Sequence, residues 1–434
     1  MPEKISIAFY TLGCKVNYSE TSYISNVFKE NSYQIKNFDE TADVYVINTC
    51  SVTQAAVKKS RNIIHKAVNK NPEALIVVTG CIAETEKEEI KSIEGIGLVV
   101  GANEKFVLFD KINEKVRFIK TAKEENNPDK TFFSTYSSGD RTRSFLKIQD
   151  GCNYFCSYCV IPYARGRSRS DTINNIVKNV YKIIETDVQE VIITGINIGD
   201  FGNSKGEKLI DLVVALENIK GLHRVRLSSI EPDLLSFELI DLISKSDKFL
   251  PHFHIPLQSG SDKVLKLMNR KYDTSLFKSK IETIKSIMPD SCIATDIITG
   301  FPLETDNDFN DTFCFLESLD LSYFHVFTYS ERKQTKASLY EIKISPQIKK
   351  VRTDALLKLS EIKKDAFYNS QKGKNHKILF ESSKIRGYMY GFTQNYLRVK
   401  MPFNSLYINK IITTTLDKID TDNVFIIDKE IGLT

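Results

Sequence analysis

The chain has 434 residues, 41% of them apolar and 26% charged, with eight cysteines and a formal net charge of +5. That is ordinary composition for a chain with a packed interior, and the length suits about three domains. No stretch approaches the ~18 apolar residues of a membrane-spanning helix, and the start, MPEKISIAFYTLGC, lacks a basic region leading into an apolar cleavable segment. A cytoplasmic protein with no membrane partner is expected. There thiols stay reduced, and clustered cysteines are more often metal ligands than disulfides.

The charge is uneven. Residues 331–400 hold seventeen Lys/Arg against six Asp/Glu, so the remainder is net acidic. A phosphate-rich partner at that end would explain the bias, and so would a solvated Lys-rich helix between residues 347 and 372.

Three stretches in the first hundred residues share one layout: ISIAFYTLGC to Cys14, DVYVINTC to Cys50 and ALIVVTGC to Cys81. Each apolar, β-branched or aromatic run predicts a buried strand, and helical patterns lie between them. Strand–helix–strand alternation predicts a parallel sheet with right-handed crossovers, whose ligands gather at the strands' carboxyl ends. One sheet edge can therefore present three thiols that no helix spacing relates. Residues 121–141, without sustained periodicity, predict a linker.

Six further strands are expected near residues 144, 189, 223, 253, 292 and 323, separated by helical patterns. They predict a partial parallel barrel whose functional face is the carboxyl end of its strands. After a helix near residue 346, short alternating runs without helices predict a small all-β barrel that stands as an independent unit. The fold class is α/β: a parallel α/β domain over residues 3–118, a partial (βα) barrel over 138–368 and the all-β barrel over 371–434.

The first barrel strand leads into GCNYFCSYC, which holds Cys152, Cys156 and Cys159 as C-x3-C-x2-C. Zinc sites more often use paired C-x2-C knuckles or add histidine, whereas iron–sulfur clusters take thiolates, usually four. Three thiolates on a four-iron cluster leave one iron open. This spacing at that strand end resembles the radical S-adenosylmethionine enzymes, and Tyr158 matches the family's aromatic before the last cysteine. The resemblance implies a 4Fe-4S cluster whose open iron chelates S-adenosylmethionine, and cleavage of that cofactor to a 5′-deoxyadenosyl radical. It also implies that strand ends hold the cofactor: Gly195 in TGINIGD, Ser228 and Glu231 in SSIEP, Gln258 and Ser259 in LQSGSD. Taken singly, each also reads as a turn or a helix N-cap. His252 and His254 are expected to place at most one ring inward, with no metal role.

TLGCKVNYSE, INTCSVTQAAVKKSR and VTGCIAE are similar to the N-terminal domain of the methylthiotransferases, a radical S-adenosylmethionine subfamily. There the cysteines equivalent to Cys14, Cys50 and Cys81 hold a second 4Fe-4S cluster. VIPYARGRSRS and TDIITGFPLETDNDF resemble the barrel of that family, and residues 371–434 its RNA-binding TRAM domain. The resemblance implies a sulfur-group transferase acting in tRNA processing. One S-adenosylmethionine methylates sulfur at the N-terminal cluster, a second yields the radical, and the methylthio group replaces hydrogen on an unactivated carbon.

LGCKVN resembles the branch acting on carbon-2 of N6-threonylcarbamoyladenosine beside the anticodon. The alternatives are the isopentenyladenosine branch, or a non-catalytic iron–sulfur RNA-binding protein. Implied partners are tRNA and an electron donor such as flavodoxin or ferredoxin. Arg165, Arg167, Arg169, Tyr396 and Arg398 are the candidate RNA contacts, although each arginine equally suits a salt bridge on the barrel rim. A threonylcarbamoyl carboxylate needs a cation, and Arg165, Arg167, Lys333 and Lys336 are candidates. Leu303 stands where the family usually has Gly. Cys292 and Cys314 read as small buried hydrophobes.

Overall fold

The computed structural model describes residues 4–116, 132–138 and 142–427. Five parallel strands form the first sheet: β1 (Ser6–Thr11), β2 (Gln34–Lys36), β3 (Val44–Thr49), β4 (Leu75–Gly80) and β5 (Ile96–Val100), in the order β2-β1-β3-β4-β5. β3 is central and buried at all six residues, which is why its sequence is continuously apolar rather than alternating. Helix α1 (Lys15–Glu30) brings Ile24 and Phe28 to the core on one face, and α2 (Gln54–Lys70) brings Val57, Ile64 and Ala67 to the other. Each of the larger of these side chains, Ala67 excepted, is worth roughly 1.5–3 kcal/mol when buried. The short helix α3 (Cys81–Thr85) follows β4 without a loop.

The six barrel strands are β6 (Arg143–Lys147), β7 (Glu190–Thr194), β8 (Arg224–Leu227), β9 (His252–His254), β10 (Cys292–Thr299) and β11 (Tyr323–Thr328). They pair in parallel as β6-β7-β8 and β9-β10-β11, joined by a bridge between Val225 and Phe249. Leu146, Val191, Ile193, Val225, Leu227, Phe253, Ile293 and Phe324 point outward into the helix-covered core. The alternate positions therefore line the lumen. By the same rule His252 and His254 share one face, with Phe253 on the other, which corrects the expectation that at most one ring points inward.

Part of the stretch expected as a linker is structured: Thr135–Tyr136 pairs antiparallel with β6, and the rest lies outside the described residues apart from its immediate neighbours. Leu303 holds φ at +69°, the left-handed region that favours glycine. Cys292 is buried as expected, but Cys314 is exposed, because its helix (Asp306–Ser318) turns Thr312 and Leu316 inward instead. No helix among the described residues is long and apolar enough to cross a membrane.

A helix at Pro346–Ser370 packs on β11, where the Ser360 hydroxyl accepts from Phe324 N and donates to its carbonyl. It leads into a curled six-stranded all-β sheet. This tail packs directly onto the barrel. Its turn at residues 393–396 closes the lower end of the barrel, where Arg224 donates to the Thr393 carbonyl (3.1 Å) and Arg226 to those of Thr393 and Gln394 (both 3.3 Å). The Tyr396 ring packs 4.4 Å from His252, and Cys292 at the start of β10 is buried within the tail's own core.

Stopping the chain after residue 370 should therefore open the base of the barrel. Timed alkylation read by mass spectrometry should show Cys292 protected in the full chain and modified at least tenfold faster in the truncation. Exposed Cys314 serves as the internal reference, and equal protection of Cys292 in both proteins would contradict the plug.

Two cysteine groups as a candidate active site

Adjacent parallel strands β1, β3 and β4 are each followed by a cysteine within three residues. Cys14 caps α1, Cys50 follows β3 directly, and Cys81 opens α3. The turns are tight: Gly13 has φ +96°, and a Cβ there would lie 2.8 Å from Cys50 Cβ and 3.0 Å from its Sγ. Asn17 ties two of these strand ends together by donating to the carbonyls of Leu12 (2.8 Å) and Thr49 (3.0 Å).

The second group lies on the loop after β6. Gly151, at φ +70°, lets the loop turn so close to residue 167 that a Cβ would sit 2.1 Å from the Arg167 carbonyl oxygen. Cys152 N donates to the Gly166 carbonyl, and Cys159 N to that of Cys156. Arg270 reaches in from the opposite wall, donating to Cys156 Sγ (3.0 Å) and pairing with Glu231. Tyr158 lies edge-on to Phe301 within hydrogen-bond reach of Arg270.

Between the groups is a cavity of about 200 Å3, lined by Val52 and Thr53 from the Cys50 loop, and by Tyr158, Gln258 and Asp296 from the barrel. Gln54 N donates to Ser330 Oγ and Gln334 to the Thr85 carbonyl, closing the N-terminal domain over the barrel mouth. Cys14 is exposed, yet desolvation by the protein mass around it raises its thiol. That combination belongs to a residue on the wall of a recess.

The donor atoms fit iron–sulfur clusters better than single ions. Sulfurs around one tetrahedral zinc lie about 3.8 Å apart, given a Zn–S bond of about 2.3 Å. Among the described residues, the His, Cys, Asp or Glu ligand atoms that gather within 4.8 Å of one another belong to His254, Asp296 and His325, not to either cysteine trio. The thiols within each trio nevertheless repel one another as thiolates. Burial pushes Cys50 and Cys152 up to about 11 and Cys159 up to about 12, so their thiolate forms require a cationic group to cover them.

Buried polar atoms without a protein partner gather at the ends of β7 and β8: Ser228 Oγ, both side-chain heteroatoms of Asn197, Asp200 Oδ2 and Asp233 Oδ1. Buried polar atoms are ordinarily paired. This strand edge thus suits a polar ligand such as S-adenosylmethionine. Asn197, Asp200, Asp233, Arg270 and Asp296 were not among the expected site residues, although TGINIGD contains the first two.

Of those that were expected, Gln258 lines the cavity with φ +70°. Glu231 is raised to about 7 by burial and paired with Arg270. Gly195 makes room for Gln149, whose Oε1 accepts from Ile196 N and Asn197 N. Ser259 points away from the cavity: it is buried, with its hydroxyl against Thr312 and accepting from Ser261 N.

The expected RNA contacts divide. Arg165 is 1% exposed and committed to Glu20 (3.1 Å), Asp150 (2.9 Å) and Asn17 (2.6 Å), so it is not available to RNA. Glu20, fully buried, also accepts from Lys105 (2.7 Å) and Lys147 (3.0 Å). Burial alone pushes the Glu20 carboxyl up, but Arg165, Lys105 and Lys147 together hold it well below its usual range. Arg169 is engaged with Asp150, Asn103 and the Arg165 carbonyl. Tyr396 belongs to the barrel plug. Arg167, over the Phe155 ring, and Arg398, over Tyr390, are exposed.

The chain matches the family described as Uncharacterized protein family UPF0004 over residues 6–101 and the Radical SAM superfamily over residues 146–316. It is 36% identical to the Threonylcarbamoyladenosine tRNA methylthiotransferase MtaB of Bacillus subtilis (strain 168), over 95% of this chain and 94% of that protein. The MtaB of Aquifex aeolicus is 37% identical, over 91% of this chain and 96% of that protein. This chain belongs to the radical S-adenosylmethionine methylthiotransferases, in the MtaB branch. A tRNA-2-methylthio-N(6)-dimethylallyladenosine synthase of Clostridium botulinum is 32% identical over 86% of this chain and 85% of that protein. In fold alone, the methylthiotransferase resembles the radical S-adenosylmethionine methyltransferase TsrM from Kitasatospora setae, with a TM-score of 0.55 at 12% identity over 78% of this chain and 77% of that one. Membership implies 4Fe-4S clusters and S-adenosylmethionine as cofactors.

Two outcomes test the electrostatics. Glu20→Gln leaves Lys105 with no carboxylate and Lys147 and Arg165 sharing Asp150, and should cost about 3–5 kcal/mol in urea unfolding, as breaking a buried ion pair does. Glu190 gives a pH signature. Burial alone raises its carboxyl, but Arg226, Arg224 and Arg143 hold it down to about 2 from an ordinary 4.5. A depressed carboxylate stabilises the fold fully above its ordinary value, and that stability is lost as pH falls toward the depressed one. Glu190→Gln should accordingly flatten the stability–pH curve between about pH 4.5 and 2, the limits set by those two values; an unchanged slope would contradict it.

Proposed function

We propose that the chain methylthiolates carbon-2 of N6-threonylcarbamoyladenosine next to the anticodon of tRNA. Cys152, Cys156 and Cys159 would hold the radical cluster, and Cys14, Cys50 and Cys81 the auxiliary one. The observation that carries this reading is the cavity walled on one side by the Cys50 loop and on the other by Tyr158, Gln258 and Asp296. When bound, the clusters and S-adenosylmethionine supply a carbon-centred radical for hydrogen abstraction and the sulfur and methyl group that are transferred.

The chain's own residues do the positioning. Arg270 orients Cys156 and stays paired with Glu231, fixing the triplet loop against the opposite wall. Asn197, Ser228 and Asp233 offer the unspent polar atoms that a cofactor's ribose or amino-acid end would take up. The domain closure made by Gln54, Ser330 and Gln334 and the Tyr396 plug limit water at the two ends of the chamber, as radical chemistry requires. The exposed Arg398–Tyr390 and Arg167–Phe155 pairs suit a nucleic-acid surface, since a guanidinium over a ring presents both a cation and a stacking face. A cytoplasmic enzyme reduced by a flavodoxin or ferredoxin completes the reading.

The deciding measurement is nucleoside mass spectrometry on tRNA from cells with and without this gene. Loss of the 2-methylthio mark from threonylcarbamoyladenosine alone is expected; loss from isopentenyladenosine alone would overturn the substrate. Anaerobically reconstituted protein should carry about eight irons, four per cluster. Cys156→Ala should abolish 5′-deoxyadenosine formation. Cys50→Ala should retain cofactor cleavage and transfer no methylthio group; full product formation by that variant would refute the auxiliary site.

A further inference from the structure

The threonylcarbamoyl group ends in a carboxylate, and a carboxylate carried into an interior chamber needs a cation waiting there. None of the four cations expected from sequence is placed to serve. Arg165 is committed to Glu20 and Asp150. Arg167 lies on the outer surface against Phe155. Lys333 is 92% exposed beside Glu89. Lys336 lines a different groove with Phe155 and Tyr340.

The cations around the barrel lumen are matched to acids: Arg143 to Glu381, Lys147 to Glu20 and Asp150, Arg224 and Arg226 to Glu190, and Arg270 to Glu231. Lys15 is different. Among the described residues the Lys15 ammonium has neither a hydrogen bond nor an ion pair, and the residue is exposed. As the first residue of α1, it follows Cys14 directly at the sheet edge that faces the barrel. Its charge is felt by His252 on β9 and His325 on β11. His325 has a ring nitrogen within 4.8 Å of an Asp296 oxygen, and Asp296 lines the cavity.

We propose that Lys15 is the specificity-determining residue of this site, pairing with the substrate's threonyl carboxylate and so fixing the adenine ring between the two cysteine groups. The assignment rests on the substrate reading above and deepens it. Selection follows from the pairing. An N6 group without the acid leaves the ammonium with no direct partner, in a field where Arg226 and Arg143 oppose its charge and Glu190 offsets them only in part, and a site built around a polar partner rejects analogues that lack it. An apolar N6 chain is thus disfavoured without any clash.

The test compares the reconstituted holoenzyme with Lys15→Gln and Lys15→Arg on one tRNA in two forms, the threonylcarbamoyl free acid and its carboxamide. Iron content and cofactor cleavage are measured alongside, because Lys15 adjoins Cys14. Wild type should favour the acid by about 100-fold in kcat/KM, on the scale of the net contribution of one charged hydrogen bond, and should bind the acid-bearing tRNA more tightly. Lys15→Gln should lose most of that preference at unchanged iron content, and Lys15→Arg should keep most of it. A wild-type ratio near one overturns the proposal without any variant. A ratio that survives in Lys15→Gln overturns the assignment of Lys15 and leaves the substrate standing. If wild type modifies neither form, the substrate reading falls and takes this assignment with it.

Discussion

The arrangement depends on one buried carboxylate. Glu20 sits on α1 of the N-terminal domain and is held by Lys105 from the same domain and by Lys147 and Arg165 from the barrel. A buried ion cluster of this kind adds little net stability over an apolar contact of equal size, but losing one partner leaves a buried charge exposed to the full cost of desolvation. The cluster sets α3, which begins at Cys81, against the short helix Ile161–Arg165 that follows Cys159. The formal charges of Lys105, Lys147, Arg165 and Arg169 exceed those of Glu20 and Asp150. The surplus lies beside Cys14 and Cys81, where it would offset deprotonated sulfur.

Both α/β domains obey the same rule, with chemistry at the carboxyl ends of parallel strands. Here the two edges face one another, so the site belongs to neither domain alone. The opposite end of the barrel is closed by the β-tail through carbonyls accepting from Arg224 and Arg226. The guanidinium groups that neutralise Glu190 inside the lumen are therefore also the ones that hold the plug.

Much of this was legible in the sequence because it is local. The six barrel strands begin within a residue or so of where alternation and apolar runs place them, and every cysteine of the two groups ends a strand or follows one in its loop. The features that were not legible are long-range. Arg165 and Glu20 are 145 positions apart, and no periodicity marks two charges that meet across a domain boundary. Arg165 consequently read as a surface contact for RNA. Tyr396 read the same way because an aromatic in a basic β-tail carries no sign of whether it faces RNA or the base of a barrel. Lys15 is inconspicuous in sequence for the opposite reason: beside Cys14 it reads as part of a motif, and only the pairing of its neighbours sets it apart.

The two cysteine groups also differ in when they can exist. Cys152, Cys156 and Cys159 span eight positions of one loop, and a short peptide can bring them together before the rest of the barrel closes. Cys14 and Cys81 are 67 positions apart and become neighbours only after β1, β3 and β4 have paired. Closing the first group is thus a local event, whereas the second needs long-range strand pairing, the slower and more demanding kind of contact. The arrangement of Cys14, Cys50 and Cys81 is therefore lost with the pairing of the N-terminal sheet, while that of the triplet depends chiefly on one loop.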